Sequence, residues 1–68
     1  MIGPMIESFR TGQRVQIVDR AHADFGAIGY IVGISAGLLP TFQVDIGEAK
    51  RSTRPMVRLV AAAQLRST

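Results

Sequence analysis

Polar and apolar residues alternate with a period of two over much of this 68-residue chain, in short segments that end at turn-forming residues. This pattern is typical of β-strands, because successive side chains of a strand point to opposite faces of a sheet. The turn residues recur at intervals of about eight to twelve positions, the spacing of consecutive antiparallel strands. The one alanine-rich run, at 61–63, is too short to form a stable helix alone. The sequence therefore predicts an all-β fold.

Four strands and a short closing segment follow from the alternation. We expect strands at 13–20, 27–34, 41–46 and 55–60, then a single helical turn and a short strand that inserts Leu65. Within each strand, the residues predicted to share one face are Val15 and Ile17; Ile28, Tyr30, Val32 and Ile34; Phe42, Val44 and Ile46; and Val57 and Leu59. We expect the last pair to face inward.

The most apolar run, DFGAIGYIVGI at 24–34, contains three glycines. A glycine weakens a strand unless the backbone bends or another segment approaches closely. Gly26, Gly29 and Gly33 are therefore predicted to let the second strand coil strongly. Since open edges on so short a sheet promote aggregation, we expect a five-stranded barrel over 10–68. Residues 1–9 are expected to form a flexible N-terminal segment, frayed or docked on a neighbour.

Composition limits the size and the chemistry of this domain. A chain of 68 residues forms one domain with a marginal core, because it buries only roughly 60% of its unfolded surface. The absence of cysteine excludes disulfides, thiolate metal sites and a cysteine nucleophile, and it is compatible with a cytoplasmic location. Hydrophobic residues make up 47% of the chain, more than one small interior needs, which indicates a homo-oligomer. No apolar run approaches the roughly 20 residues that span a membrane.

Positive charge is concentrated in the last third of the chain. Residues 1–46 carry three arginines against four acidic residues, a net charge of −1, whereas 47–68 carry five basic residues against one glutamate, a net charge of +4. The residues expected to bind a nucleic acid or another anion are Lys50, Arg51, Arg54 and Arg58. The alternative is a solvated hairpin that its charge keeps soluble. The sequence leaves open whether the aromatic rings of Phe25 and Tyr30 are buried or exposed.

Two features match catalytic or metal-binding patterns without the context that such sites need. GISAG at 33–37 matches the nucleophile-elbow pattern, but that motif requires the strand-to-helix turn of a large α/β sheet and a histidine later in the chain. His22 is the only histidine and precedes the motif. One histidine cannot build a metal site, and we expect it in a solvated loop with Asp24. We therefore expect no catalytic residue, metal or cofactor.

The segments TGQRVQIVDR and FGAIGYIVGI, within 11–34, resemble the KOW pattern. In that pattern a glycine, an alternating strand, a loop and a Gly-x-x-Gly-x-Val/Ile strand open an SH3-like barrel. The resemblance implies an SH3-like barrel here, and it implies RNA or protein binding, which is common among KOW-type barrels.

Four segments, FRTGQRV, GYIVG, VDIGEA and VRLVAAAQL, are similar in the same order to segments of plasmid-encoded type II dihydrofolate reductases. This second resemblance implies SH3-like barrels assembled as a tetramer around one pore, where a Val-Gln-Ile-Tyr segment binds folate and nicotinamide cofactor. In the matching stretch, Arg58 replaces the glutamine and Val60 replaces the tyrosine. The position where the family has a lysine in the first strand falls near Ile17 in this chain. These departures predict a non-catalytic relative, and the alternative is a divergent enzyme of the reductase type.

The Arg58 substitution has a physical consequence if the family tetramer is kept. Four Arg58 side chains would then converge on one pore, and like charges at close range are unfavourable without compensation. Either the pore holds an anion or the tetramer does not form. The alternative is an outward-facing Arg58 whose stem lies along apolar surface.

Apolar residues expected in a loop or on outward strand faces predict an interface with another chain. They are Val18, Ile31, Leu38, Leu39, Met56 and Val60. The alternative is that they fold over the ends of the barrel. The chain as a whole is predicted to be a non-enzymatic module that binds nucleic acid or a protein through its basic second half, as a homo-oligomer. A protein-assembly subunit with an apolar interface is the alternative.

Overall fold

Five antiparallel strands and one short 3-10 turn form the fold in this computed structural model, which describes residues 9–35 and 37–68. The strands are β1 (Arg14–Ile17), β2 (Ile28–Ser35), β3 (Thr41–Asp45), β4 (Val57–Ala61) and β5 (Leu65–Ser67), with the 3-10 turn at Ala62–Gln64. These elements confirm the prediction of an all-β chain with one helical turn before a short closing strand. Nowhere in the described ranges is a helix long and apolar enough to cross a membrane.

The strand order forces the sheet to curl. β4 and β5 lie at opposite ends of the order β4-β3-β2-β1-β5, in which all neighbours are antiparallel. In a flat sheet the outer two of five strands are about 19 Å apart. The four residue steps from Ala61 to Leu65 span at most about 14 Å. The sheet is therefore curved around its core, and its closure into a complete barrel stays a prediction.

One apolar core lies on the inner face of the sheet. Its buried members are Phe9, Val15, Ile17, Ile31, Phe42, Val44, Ile46, Val60 and Leu65. The predicted faces of the first and third strands and the insertion of Leu65 are thereby confirmed. Phe9 packs edge-on against Phe42, with ring centroids 5.3 Å apart. Apart from Phe9, the predicted flexible segment 1–9 lies outside the described residues.

β2 departs from regular pairing with β3 because it contains a bulge. Its register against β3 shifts around Val32, which is therefore an extra residue. Before the bulge, Ile31 enters the core at 1% exposure and Tyr30 is exposed. After it, Ile34 pairs with the buried Phe42 but is itself 52% exposed. The prediction that Ile31 points outward is therefore wrong. Of the four apolar residues predicted to share one face, Tyr30, Val32 and Ile34 are all exposed, and the bulge shifts only their pairing with β3.

Gly29 lies where the backbones of β2 and β3 approach each other closely. A Cβ atom at this position would collide with the main-chain carbonyl of Asp45 and lie 3.0 Å from the Val44 Cγ1 atom. Gly26 has a different role, because its φ of +90° shapes the turn before β2. The spaced glycines of this run thus serve a turn and a close approach of two strands.

β4 presents the opposite face from the one predicted. Val60 is fully buried and Arg58 occupies an inward register position, whereas Val57 and Leu59 are 44% and 63% exposed. The predictions that Val57 and Leu59 face inward and that Val60 faces outward are therefore wrong. Both faces of this strand carry apolar residues, so alternation alone does not determine its orientation. An inward arginine is compatible with the fold because Asp24 compensates its charge.

Candidate nucleic-acid interface

Asp24 joins the loop between β1 and β2 to two later parts of the chain. Its Oδ2 atom accepts a hydrogen bond from the Arg58 Nε at 3.0 Å, and its Oδ1 atom lies 3.3 Å from the Lys50 Nζ. The main-chain N–H of Asp24 donates to the His22 Nδ1 at 2.9 Å. The expectation that these two residues are solvated is wrong, since the side chains of His22 and Asp24 are 14% and 10% exposed. Two cationic partners make this burial of a carboxylate tolerable.

The ionisation of Asp24 is set by two opposing effects. Burial raises the pKa of its carboxyl group by disfavouring the charged form. The hydrogen bonds and charges of Arg58 and Lys50 outweigh that effect and hold the pKa of Asp24 below its ordinary value. The carboxylate is therefore ionised at neutral pH. Both cations remain partly exposed, Lys50 at 43% and Arg58 at 38%, so each can contact a further anion.

The turn between β3 and β4, residues 46–56, is held by hydrogen bonds within itself and to the last residue of β3, and we call it the basic turn. The Asp45 Oδ1 atom accepts a hydrogen bond from the main-chain N–H of Gly47 at 2.8 Å. The Ser52 hydroxyl donates to the Arg54 carbonyl at 2.8 Å and accepts from the Arg54 N–H at 3.1 Å. Such bonds between side chains and backbone fix local turn conformations. The cations of the basic turn are thus presented from a constrained backbone.

The four predicted binding cations fall into two pairs. Lys50 and Arg58 share the carboxylate of Asp24. Arg51 and Arg54 are exposed, and no carboxylate among residues 9–35 and 37–68 lies within 4.0 Å of either. Two of these cations therefore have a role in the fold, whereas the other two are exposed and have no acidic partner among the described residues.

A groove of about 570 Å³ opens beside the basic turn. Two exposed aromatic rings line it, Phe25 at 51% and Tyr30 at 41% exposure. Arg14 and Lys50 line it as well, together with one acidic residue, Glu48. No three His, Asp or Glu side chains of the described residues are close enough together to hold a metal ion. The chemistry that this groove offers is therefore aromatic and cationic.

Strand pairing places further positive charge on the same face as the groove. Arg14 and Tyr30 are direct partners across β1 and β2, so their side chains lie next to each other on one face. Gln16, on that face, pairs with Ile28 on one side and with Arg66 of β5 on the other. Arg14 and Arg66 thus lie on the outer face that also carries Tyr30.

Sequence reasoning missed Arg14 and Arg66 as candidate binding residues. The alternation of β1 could have identified Arg14, because Arg14 precedes the buried Val15 and must point away from the core. No local pattern places Arg66 beside Gln16, since only the pairing of β5 with β1 brings them together.

The predicted interface residues are placed in different environments. Leu38 and Leu39 are 102% and 83% exposed, so they do not fold over the sheet. Val18 and Met56 are partly buried, and Met56 packs against the core. The other two, Ile31 of β2 and Val60 of β4, are core residues. Contact of any of them with another chain stays a prediction.

A different apolar surface lies on the outer face of β4. Val57 and Leu59 are exposed there, and β4 is an edge of the sheet that the described residues form. An edge strand leaves alternate main-chain N–H and C=O groups without a partner in its own sheet. Some of these groups on β4 have partners, since the Val57 carbonyl accepts a hydrogen bond from the Arg58 Nη1 at 3.4 Å and the Ala61 N–H donates to the Gln64 Oε1 at 3.0 Å. The strand therefore offers exposed apolar side chains at an edge of the sheet.

Comparison of the chain with protein-family models, with curated proteins and with solved structures found no match. The similarity to KOW-type barrels and to type II dihydrofolate reductases therefore rests on the short sequence segments that carry it.

Proposed function

We propose that this chain is a non-enzymatic module that binds nucleic acid through cations on and beside the basic turn. The observation that carries the proposal is the pair Arg51 and Arg54, which are exposed and have no carboxylate within 4.0 Å in the described ranges. An arginine presents a rigid fork of donors that suits phosphate oxygens. The net charge of +3 also favours a polyanionic partner.

Asp24 supports this function by holding two further cations, one in the basic turn and one beside it. Lys50 and Arg58 contact its carboxylate, yet each remains partly exposed. Contacts from such side chains to phosphates follow the backbone of a nucleic acid and do not read its bases. Binding should therefore be weakly sequence-selective and strongly salt-dependent.

For the fold, we propose that the curved sheet closes into an SH3-like barrel of the KOW type. The support is the chain order of four strands, a 3-10 turn and a short fifth strand, in which three residues connect the two edges of the sheet. The resemblance to type II dihydrofolate reductases implies the same closure. In this proposal the barrel serves as a scaffold that presents the basic turn.

Fluorescence anisotropy tests the proposed function. Labelled RNA and duplex DNA are titrated with the protein at about 50 and about 200 mM salt, a range over which phosphate contacts lose affinity steeply. The double variant R51Q/R54Q should lower the slope of log affinity against log salt by about 1.4 to 1.8, since each phosphate contact contributes about 0.7 to 0.9.

The matched control is R10Q/R20Q, which removes the same charge from exposed positions outside the basic turn. This control should keep most of the slope. Absence of binding at the lower salt would refute the proposed function, and equal losses in the two double variants would refute its assignment to the basic turn.

A second candidate function is self-association through β4. Val57 and Leu59 are exposed on this edge strand, and adjacent exposed apolar side chains favour contact with another chain. A homo-oligomer would bring several basic turns onto one nucleic acid and raise its affinity by multivalency.

A further inference from the structure

We infer that the groove lined by Phe25 and Tyr30 stacks unpaired bases, so that single-stranded nucleic acid, and not a duplex, is the ligand of this face. We call it the aromatic groove. The inference rests on the proposed nucleic-acid function and adds a second contact region with its own chemistry. The basic turn would contact phosphates of either form, whereas the aromatic groove would select the unpaired form.

The exposure of the two rings is the first observation. Phe25 and Tyr30 are 51% and 41% exposed, although the chain has a core that buries its other two phenylalanines. Both rings line one groove, beside a turn that carries cations. A groove with positive charge and exposed aromatic rings is the usual combination in proteins that bind single strands, because every base has a face that stacks on a ring.

The placement of charge around these rings is the second observation. Arg14 lies directly across from Tyr30 on the neighbouring strand, and Lys50 lines the groove from the basic turn. Arg66 adds a cation two strands away from Ile28 on the same outer face. Glu48 is the one acidic residue in the lining. Cations on two separate elements can therefore hold the phosphates that flank a stacked base.

The shape of the site separates single strands from duplexes. Bases within a duplex stack on one another, so their faces are not accessible to a side chain. The volume of about 570 Å³ falls within the range of roughly 300 to 1,000 Å³ typical of pockets that enclose small molecules. A flipped or unpaired base can enter such a groove. The outer surface of a duplex can reach only the cations at the rim of the groove.

Tyr30 supplies a direct readout of stacking. It is the only tyrosine of a chain that has no tryptophan, so the intrinsic fluorescence of the protein reports on this groove alone. A twelve-nucleotide single strand of mixed sequence, the duplex of the same sequence and inorganic polyphosphate are each titrated into the protein. Nucleic-acid absorbance is corrected with free tyrosine amide. We expect the single strand to quench Tyr30 and the polyphosphate to bind without quenching.

The variant F25L/Y30L tests the contribution of the rings to affinity. Leucine keeps an apolar side chain in the groove but has no ring for a base to stack on. Anisotropy should show single-strand affinity reduced at least about fivefold, because stacking on an aromatic ring contributes the equivalent of roughly 5- to 150-fold per base. Duplex affinity should change by less than about twofold. L39A, which trims an exposed side chain outside the groove, is the control, and thermal unfolding verifies that each variant is folded.

The remaining outcomes distinguish failure of base stacking in the aromatic groove from failure of nucleic-acid binding as a whole. Equal affinity for single strand and duplex, or unchanged single-strand affinity of folded F25L/Y30L, would overturn the inference and leave the proposed function standing. Quenching of Tyr30 by polyphosphate would overturn base stacking as its cause. Failure of both the single strand and the duplex to bind would overturn the proposed function together with the inference and would leave the aromatic groove to a peptide.

Discussion

The Nε atom of Arg58 lies 3.0 Å from the carboxylate of Asp24, although 34 positions separate the two residues in the chain. This contact explains how an arginine occupies an inward position of β4 close to the buried Val60, since a charge near a core needs an opposite partner. The same carboxylate binds Lys50 of the basic turn. One acidic residue therefore serves both the fold and the placement of the candidate binding cations.

Replacing Asp24 with asparagine should lower stability at neutral pH and weaken the response to acid. Its pKa in the folded protein lies below the ordinary value of about 3.9, so its contribution to stability is complete well above that value and is lost progressively as the pH falls from it through the lower pKa of the folded state. Urea unfolding of the parent protein and of D24N between about pH 3 and pH 7 measures both effects. Identical acid slopes would contradict the assigned role.

Part of the acid response should remain in D24N. The hydrogen bonds from the Gln64 side chain and the Ala21 N–H lower the pKa of Asp19, so this carboxylate also favours the folded state when it is ionised. The double variant D19N/D24N should therefore show a flatter acid profile than D24N. An unchanged profile would show that Asp19 contributes nothing.

Replacing Gly29 with alanine should destabilise the protein by about 1–3 kcal/mol, the usual cost of overpacking a core. The added Cβ would collide with the backbone of β3 at Asp45, which cannot move away as a flexible side chain does. Gly37 is the matched control, because an added Cβ would meet only the Leu39 carbonyl at 4.0 Å. Thermal unfolding of G29A and G37A should show a clear loss in the first alone, and equal midpoints would be inconsistent with the close approach.

Replacing Ile17 with valine should cost about 0.5–1.5 kcal/mol, because one methylene leaves a fully buried position. With an m-value of about 1 kcal/mol/M for so small a domain, the urea midpoint should fall by about 0.5–1.5 M. V32A, at a position that is 46% exposed, provides the comparison and should shift the midpoint much less. A larger effect of V32A would indicate that Val32 is covered in solution.

Replacing Leu59 with lysine should shift any oligomer of this chain towards the monomer. The change places a charge on the exposed face of edge strand β4, where charged residues oppose strand pairing. L38K adds the same charge at a loop position that is fully exposed, and it should leave the assembly intact. Light scattering during size-exclusion chromatography measures both masses. A monomeric parent protein, or an unchanged mass of L59K, would refute self-association through β4.

The faces of β1 and β3 follow from the sequence because only one face of each strand is apolar. Val15 and Ile17 alternate with Arg14 and Gln16, and no other register buries the apolar pair. In β4 both faces carry apolar residues, so the buried face was not predictable from that strand alone. In β2 the sequence pattern is regular, but the bulge at Val32 shifts the pairing with β3, and such a contact between strands is not visible in the pattern.

The sequence by itself determined the all-β class, the approximate strands, the excess of positive charge and the exposure of Arg51 and Arg54 on a turn. Each of these depends on local periodicity, on turn residues or on composition. Only the tertiary structure decided that Asp24 binds Lys50 and Arg58, and that Arg14 lies beside Tyr30 at the aromatic groove. The physical reason is that charge compensation and strand pairing act between residues that are distant in the chain. Local sequence patterns do not predict which distant residues come into contact.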